Sequence, residues 1–134
     1  MDSTLLVRCI GVSHLLQPPL TFVLARRLEL RGAFGRLPPL AGRITENMAF
    51  AGVVLPTTLG LVLALYADAA LSGGPARAVG LVLAVFWSVR LVRQVRDVGP
   101  LLPRGAAIWH PLLTAIFTVQ GPVLGVVLLS TWLR

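Results

Sequence analysis

The sequence predicts an all-α fold, an integral membrane bundle of four transmembrane helices with short connections, and three observations predict it. Apolar residues make up 56% of the 134-residue chain and charged residues only 13%, with a mean hydropathy of +0.84. A soluble domain carries about 25% charged residues to cover its surface. Four apolar runs approach the roughly 20 residues with which a helix crosses a bilayer. All twelve basic residues are arginine, and they gather at the ends of those runs. Together these features exclude a water-soluble globule, a disordered chain and a secreted disulfide scaffold. One domain is expected over 1–134.

The expected spans are 5–25, 47–67, 76–95 and 108–133. Each must be helical, because lipid offers no partner for a free backbone amide. Trp109 and Trp132 bracket the fourth span about 34 Å apart at 1.5 Å per residue, a separation that suits aromatic anchors at both interfaces. The first span contains Arg8, His14, Gln17 and Pro18-Pro19, so it is expected to kink. The third has twelve uncharged residues between Arg77 and Arg90 and crosses with its terminal arginines snorkelling to the headgroups. The start, Met1-Asp2-Ser3, lacks the basic region of a signal peptide, so the first apolar segment is expected to be retained. Cys9, the single cysteine, forms no intrachain disulfide.

Arginine placement sets the orientation. Arg26, Arg27, Arg31, Arg36 and Arg43 lie in the basic connection 26–46, and Arg90, Arg93, Arg96 and Arg104 flank the connection after the third span. Only Arg8, Arg77 and Arg134 lie on the other side. The positive-inside rule places both basic connections in the cytoplasm and both termini outside, with a bacterial inner membrane as the expected location. Leu30, Phe34 and Leu37 recur at helical spacing among arginines, which suggests a short interfacial helix ending at Pro38-Pro39. Ser72-Gly73-Gly74-Pro75 is a turn signal between the second and third spans. A net charge of +7 suggests nucleic acid only in a soluble protein, and no basic face carries aromatics for stacking bases. No nucleic-acid partner is expected.

Polar residues inside spans carry the functional information. His14, Gln17 and Thr21 form one helical stripe. His110, Thr114, Gly121 and Gly125 form another, in which Gly121-x-x-x-Gly125 permits close backbone approach. Both stripes read as helix contacts, with a ligand cavity as the alternative. The two histidines differ by roughly 12 Å in depth, too far to ligate one haem iron. One cysteine and two histidines without clustered carboxylates make no zinc site, so no metal is expected. At the cytoplasmic end Trp87, Arg90 and Gln94 share a face, and Arg93 can pair with Asp97 at i+4. Arg90, about one turn below the interface, wants a lipid headgroup, an anionic amphipathic ligand or a carboxylate such as Glu46.

Arg43-Ile44-Thr45-Glu46-Asn47 resembles the R-x-x-x-N at the start of the second helix in the MAPEG family of membrane-associated glutathione and eicosanoid enzymes. Pro56 lies further along the same span. Length, four spans and a basic first connection resemble that family as well. The resemblance implies a trimer with sites between subunits and glutathione as the bound thiol, with Arg43 and Asn47 holding its carboxylates and Arg90 or Arg93 assisting. The sequence departs from the family pattern at Phe50, where an acidic residue is expected, and lacks tyrosines near the end of the third span.

Three functions follow. The leading one is a non-catalytic accessory or structural subunit that assembles through its helices, as a homo-oligomer or within a larger membrane complex. The others are a MAPEG-like glutathione-dependent enzyme acting on a lipophilic substrate, and a small carrier of an amphipathic anion. Candidate ligand-binding residues are Arg43, Asn47, Arg90, Arg93 and Gln94. No nucleophile triad, acid-base pair or phosphate loop names a reaction.

Overall fold

In the computed structural model, which describes residues 2–98 and 108–133, every element is helical. Arg104 and Arg134, and the side chains of Leu30, Arg31 and Phe34, lie outside the described residues. The first rod is α1 (Ser3–Ser13), a 3-10 turn (His14–Leu16) and α2 (Gln17–Arg27). Asp2 caps it, accepting from the Thr4 amide at 2.9 Å. The break has a sequence cause. Pro18 and Pro19 lack amide hydrogens, so the turn before them tightens. Pro18 deprives the His14 carbonyl of its usual donor, and the Thr57 hydroxyl from a neighbouring helix approaches that oxygen at 3.4 Å.

Glu29, at φ +50°, takes the left-handed position that ends the rod. A short helix, α3 (Leu30–Gly35), occupies part of the first connection. The second rod, α4 (Pro39–Leu65), starts where Pro38 is extended and Pro39 supplies a preset first-turn φ. It therefore begins eight residues before the apolar run at Asn47, and Arg43 to Asn47 lie inside the helix rather than at its opening. A one-and-a-half-turn α5 (Ala67–Ser72) follows and stops at Gly73, whose φ of +111° suits only glycine. Arg77 caps α5 by donating to the Ala70 and Leu71 carbonyls, and also reaches the Thr131 hydroxyl at 3.3 Å.

The third rod is α6 (Pro75–Arg93) continued by a π-turn (Gln94–Val98). The wider turn alters the side-chain rows, and Asp97 meets Arg96 at 3.7 Å instead of the expected Arg93. The fourth is α7 (Trp109–Thr118), a π-turn (Val119–Val123) around Pro122, and α8 (Leu124–Ser130). Among the described residues three helices are long and apolar enough to cross a membrane: Pro39–Leu65, Pro75–Asp97 and Trp109–Ser130.

Successive rods run antiparallel around a core containing Val7, Ile10, Leu63, Leu83, Leu124 and Leu128. Glycines let the backbones touch. A Cβ on Gly11 would lie 2.6 Å from the Ala64 amide nitrogen, and one on Gly121 would lie 2.7 Å from that of Ser88. The outer surface is apolar as well, with Leu40, Met48, Phe50 and Val126 each more than 60% exposed. That is the surface of a protein solvated by hydrocarbon, since a soluble monomer rarely exposes so continuous an apolar face.

Candidate functional site

Four rods that pack tightly at one end part at the other. From the contact of Leu63 with Gly80, counting along the antiparallel α4 and α6 puts Gly52 level with Leu91 and Met48 level with Val95. Near those levels a cavity of about 460 Å³ lies between α2, α4, α6 and α7. This volume is within the range of small-molecule sites, about 300–1,000 Å³. Its walls are mostly apolar, with Leu20, Leu24, Val53, Phe86, Leu113 and Phe117 among them.

A hydrogen-bonded network closes the inner end. His14, fully buried, directs Nδ1 at the Ile10 carbonyl at 2.8 Å, while Trp87 Nε1–H donates to its Nε2 at 2.8 Å. A carbonyl only accepts and an indole N–H only donates, so these partners fix the neutral imidazole with its proton on Nδ1. They also occupy both ring nitrogens, which leaves His14 no lone pair for a metal. Gly60 makes the room, since a Cβ there would overlap His14. Trp87 in turn stacks on Phe117 at 5.0 Å between ring centroids. Beside this pair Gln17 Nε2 donates to Gln120 Oε1 at 2.8 Å, Gln120 Nε2 donates to Ser13 Oγ at 2.9 Å, and Ser13 donates to the Ile10 carbonyl at 2.6 Å.

Two polar groups of α2 remain unused. Thr45, Thr57, Thr58, Thr114 and Thr118 each donate to the carbonyl four residues back. The Thr21 hydroxyl, which lines the cavity, makes no bond to a described residue. Gln17 is only 7% exposed, and its Oε1 takes no bond from a described residue. Among the described residues no sealed side-chain polar atom lacks a partner, so that oxygen opens on the cavity it lines.

The mouth is cationic. Arg90 and Arg93 line it with Gln94. The chain has five carboxylate side chains, all on described residues, and none pairs with Arg90 or Arg93; among the described residues the ion pairs are Arg8–Asp68 at 2.8 Å and Arg96–Asp97. The Arg90–Glu46 pair, one of the three alternatives that the sequence offers for Arg90, does not form. Gln94, 5% exposed, donates to His110 Nδ1 at 3.3 Å and so ties the mouth to α7.

The structure thus brings Arg90, Arg93 and Gln94 together with Gln17 and Thr21, two residues that sequence spacing assigned to helix contacts. It leaves Arg43 and Asn47 exposed on α4 and outside the cavity lining. His14, Gly121 and Gly125 serve contacts within the chain, Gly125 lying against Ala84. Thr114 bonds the His110 carbonyl of its own helix at 2.8 Å. Sequence reasoning missed Trp87 as the partner of His14, Gly60 as its socket, and Ser13 and Gln120 as the link between rods. The one available signal was Gln120-Gly121-Pro122, a polar residue beside a helix break. The chain matches no protein-family model, no curated protein and no solved structure.

Proposed function

We propose that this chain is an integral membrane protein that crosses the bilayer four times and binds an amphipathic anion in the cavity at its basic, cytoplasmic end. The observation that carries this reading is the pair of arginines, Arg90 and Arg93, at the mouth of an apolar cavity without a carboxylate partner. A guanidinium at a membrane edge needs an anion, and its planar fork suits carboxylate or phosphate oxygens. The apolar walls suit the remainder of such a ligand. The fourth crossing is the first rod. From Ser3 to Arg27 it gives about 37 Å of helix, against a hydrocarbon core of about 30 Å. Its polar groups are provided for: Asp68 pairs with Arg8 and the interior network holds His14 and Gln17. Arginine distribution favours termini outside the cytoplasm.

Gly121 and Gly125 are turned inward, so association with further copies or larger subunits would use the outward apolar faces. Arg43 and Asn47 lie apart from the cavity. The glutathione site implied by the MAPEG resemblance lies between subunits, and one chain does not bring its residues together.

The test is binding in a neutral maltoside detergent, with oleoyl-lysophosphatidate compared against zwitterionic oleoyl-lysophosphatidylcholine by native mass spectrometry. Preferential retention of the anion, reduced roughly tenfold or more when Arg90 and Arg93 are both changed to Gln, is expected for about 1.4 kcal/mol or more of charge-assisted binding. Equal retention of the two lipids, or undiminished anion binding in the double variant, refutes the reading.

A further inference from the structure

The cavity is not closed toward the lipid. On the α4 side its lining includes Met48, Ala49 and Gly52, all exposed, Met48 to 71%; on the α6 side it includes Arg90 and Arg93, also exposed. The residues supplied by α7, Leu113 and Phe117, are buried. The α2 lining residues Leu20, Thr21 and Leu24 are half-buried, so the most exposed walls flank the seam between α4 and α6, below the level at which Leu63 meets Gly80. Gly52 stands at its edge, and a Cβ built there meets nothing within 4 Å. Gly52 is also the residue four before Pro56, whose missing amide hydrogen leaves the Gly52 carbonyl without its usual donor.

Depth decides what can pass. Gly52 lies five residues into the apolar run that starts at Asn47, about 8 Å at 1.5 Å per residue. Its exposed neighbours on α4 are Phe50, Val54 and Leu55. A seam at that depth faces hydrocarbon rather than water. One side of it is apolar and the other carries two cations with no carboxylate partner among the described residues, the arrangement that matches a headgroup at the interface with a chain extending inward.

We infer that the seam between α4 and α6 is a lateral port, and that the ligand is a membrane-resident anionic lipid. Its headgroup lies against Arg90 and Arg93 while a hydrocarbon chain passes Gly52 into the cavity toward Leu20, Leu24 and Phe117. This rests on the anion-binding reading and adds the source of the ligand and its route.

Chain length tests the port separately from the headgroup site. Hexanoyl- and decanoyl-lysophosphatidate, with glycerol 3-phosphate as the chainless control, are titrated into the full chain in neutral detergent. In the parent protein, affinity is expected to rise with each added methylene, by up to about fourfold where the methylene is fully buried. Gly52→Phe fills the port from a position with free space, so the fold is expected to hold, with Gly52→Ala as the control for the backbone. In Gly52→Phe, the gain from six to ten carbons should be lost and both lipids should fall toward the affinity of glycerol 3-phosphate, whereas Gly52→Ala should keep the parent's chain-length dependence. Full chain-length dependence in Gly52→Phe overturns the port, as does its loss in Gly52→Ala, which leaves the port open. Glycerol 3-phosphate binding as tightly as the decanoyl lipid would assign the site to a water-soluble anion and overturn the lipid. If the parent binds neither lipid more tightly than lysophosphatidylcholine, the anion-binding reading itself fails and the port falls with it.

Discussion

Replacing Gln120 by leucine removes the middle of the amide chain that ties the first rod to the last. Gln120 is fully buried, and its two bonds are 2.8 Å from Gln17 and 2.9 Å to Ser13. An orphaned buried polar group costs about 1–3 kcal/mol. Relief is available at both ends, because Gln17 can turn its amide to the cavity and Ser13 keeps its bond to the Ile10 carbonyl. Interhelical hydrogen bonds in membranes contribute about 0.6 kcal/mol on average and up to about 1.7. Gln120→Leu should therefore cost about 1–2 kcal/mol. The sharper quantity is the coupling in a double-mutant cycle with Gln17→Leu, expected at about 0.6–1.7 kcal/mol in favour of the native pair. Sodium dodecyl sulfate titration of the protein in mixed micelles, followed by circular dichroism, gives the four free energies. Additivity of the two substitutions within about 0.3 kcal/mol would mean that the amides do not meet and that the network has been misread.

Three further outcomes are expected. Gly60→Ala should destabilise by about 1–3 kcal/mol in the same titration, because its Cβ overlaps His14, whereas Gly52→Ala should be neutral or stabilising by up to about 1 kcal/mol. Nitrogen-15 spectra of His14 should report a neutral ring with the proton on Nδ1; Trp87→Phe, which preserves an aromatic ring against Phe117, should move the Nε2 signal as that nitrogen loses its donor. In a Cys9→Ser background, a membrane-impermeant maleimide should label Ser72→Cys from the outer face and Arg36→Cys from the cytoplasmic face, and labelling of both from one face would refute the alternating topology.

What sequence alone makes legible is what depends on neighbours along the chain. Gly73-Gly74-Pro75 marks the turn before α6 and Pro18-Pro19 the break in the first rod, because proline and glycine act on their own backbone; Pro38-Pro39 reads from sequence as the end of an interfacial helix, whereas it opens α4. Helical spacing likewise puts Trp87, Arg90 and Gln94 on one face, and all three line the cavity. The same spacing joins Arg43 to Asn47, yet nothing local says that their face points outward. That depends on how α4 is rotated about its axis by contacts such as Gly60 with His14, 46 residues away in sequence. Trp87 and His14 are separated by 73 residues, and Gln17 and Gln120 by 103. Periodicity shows that such residues need partners; it does not pair them. Gly99-Pro100 announces only a helix end, not that the turn Gln94–Val98 widens to a π-turn, which is why the Arg93–Asp97 pairing reads plausibly from sequence and does not form.

Stability alone does not account for the polar network. Hydrogen bonds between membrane helices are weak in net terms, and leucine at both Gln17 and Gln120 would fill much of the same volume. What leucines at these two positions would lack is a directional constraint on rotation beyond that of packing. Gln17 reaches Gln120 only when one face of α2 is turned inward, and Thr21, one turn further along, lies on that same face. Trp87 is held in a corresponding way by His14, and Arg90 and Gln94 follow it along α6. The network thus sets the rotation of the two helices that supply the polar groups of the cavity, from a level just above it. Pro18-Pro19 interrupts the regular helix near that level. Tight glycine crossings above and the cavity below are therefore linked: the hydrogen bonds fix the rods where the backbone is broken, and below the break α2 supplies the cavity wall that faces α4, α6 and α7.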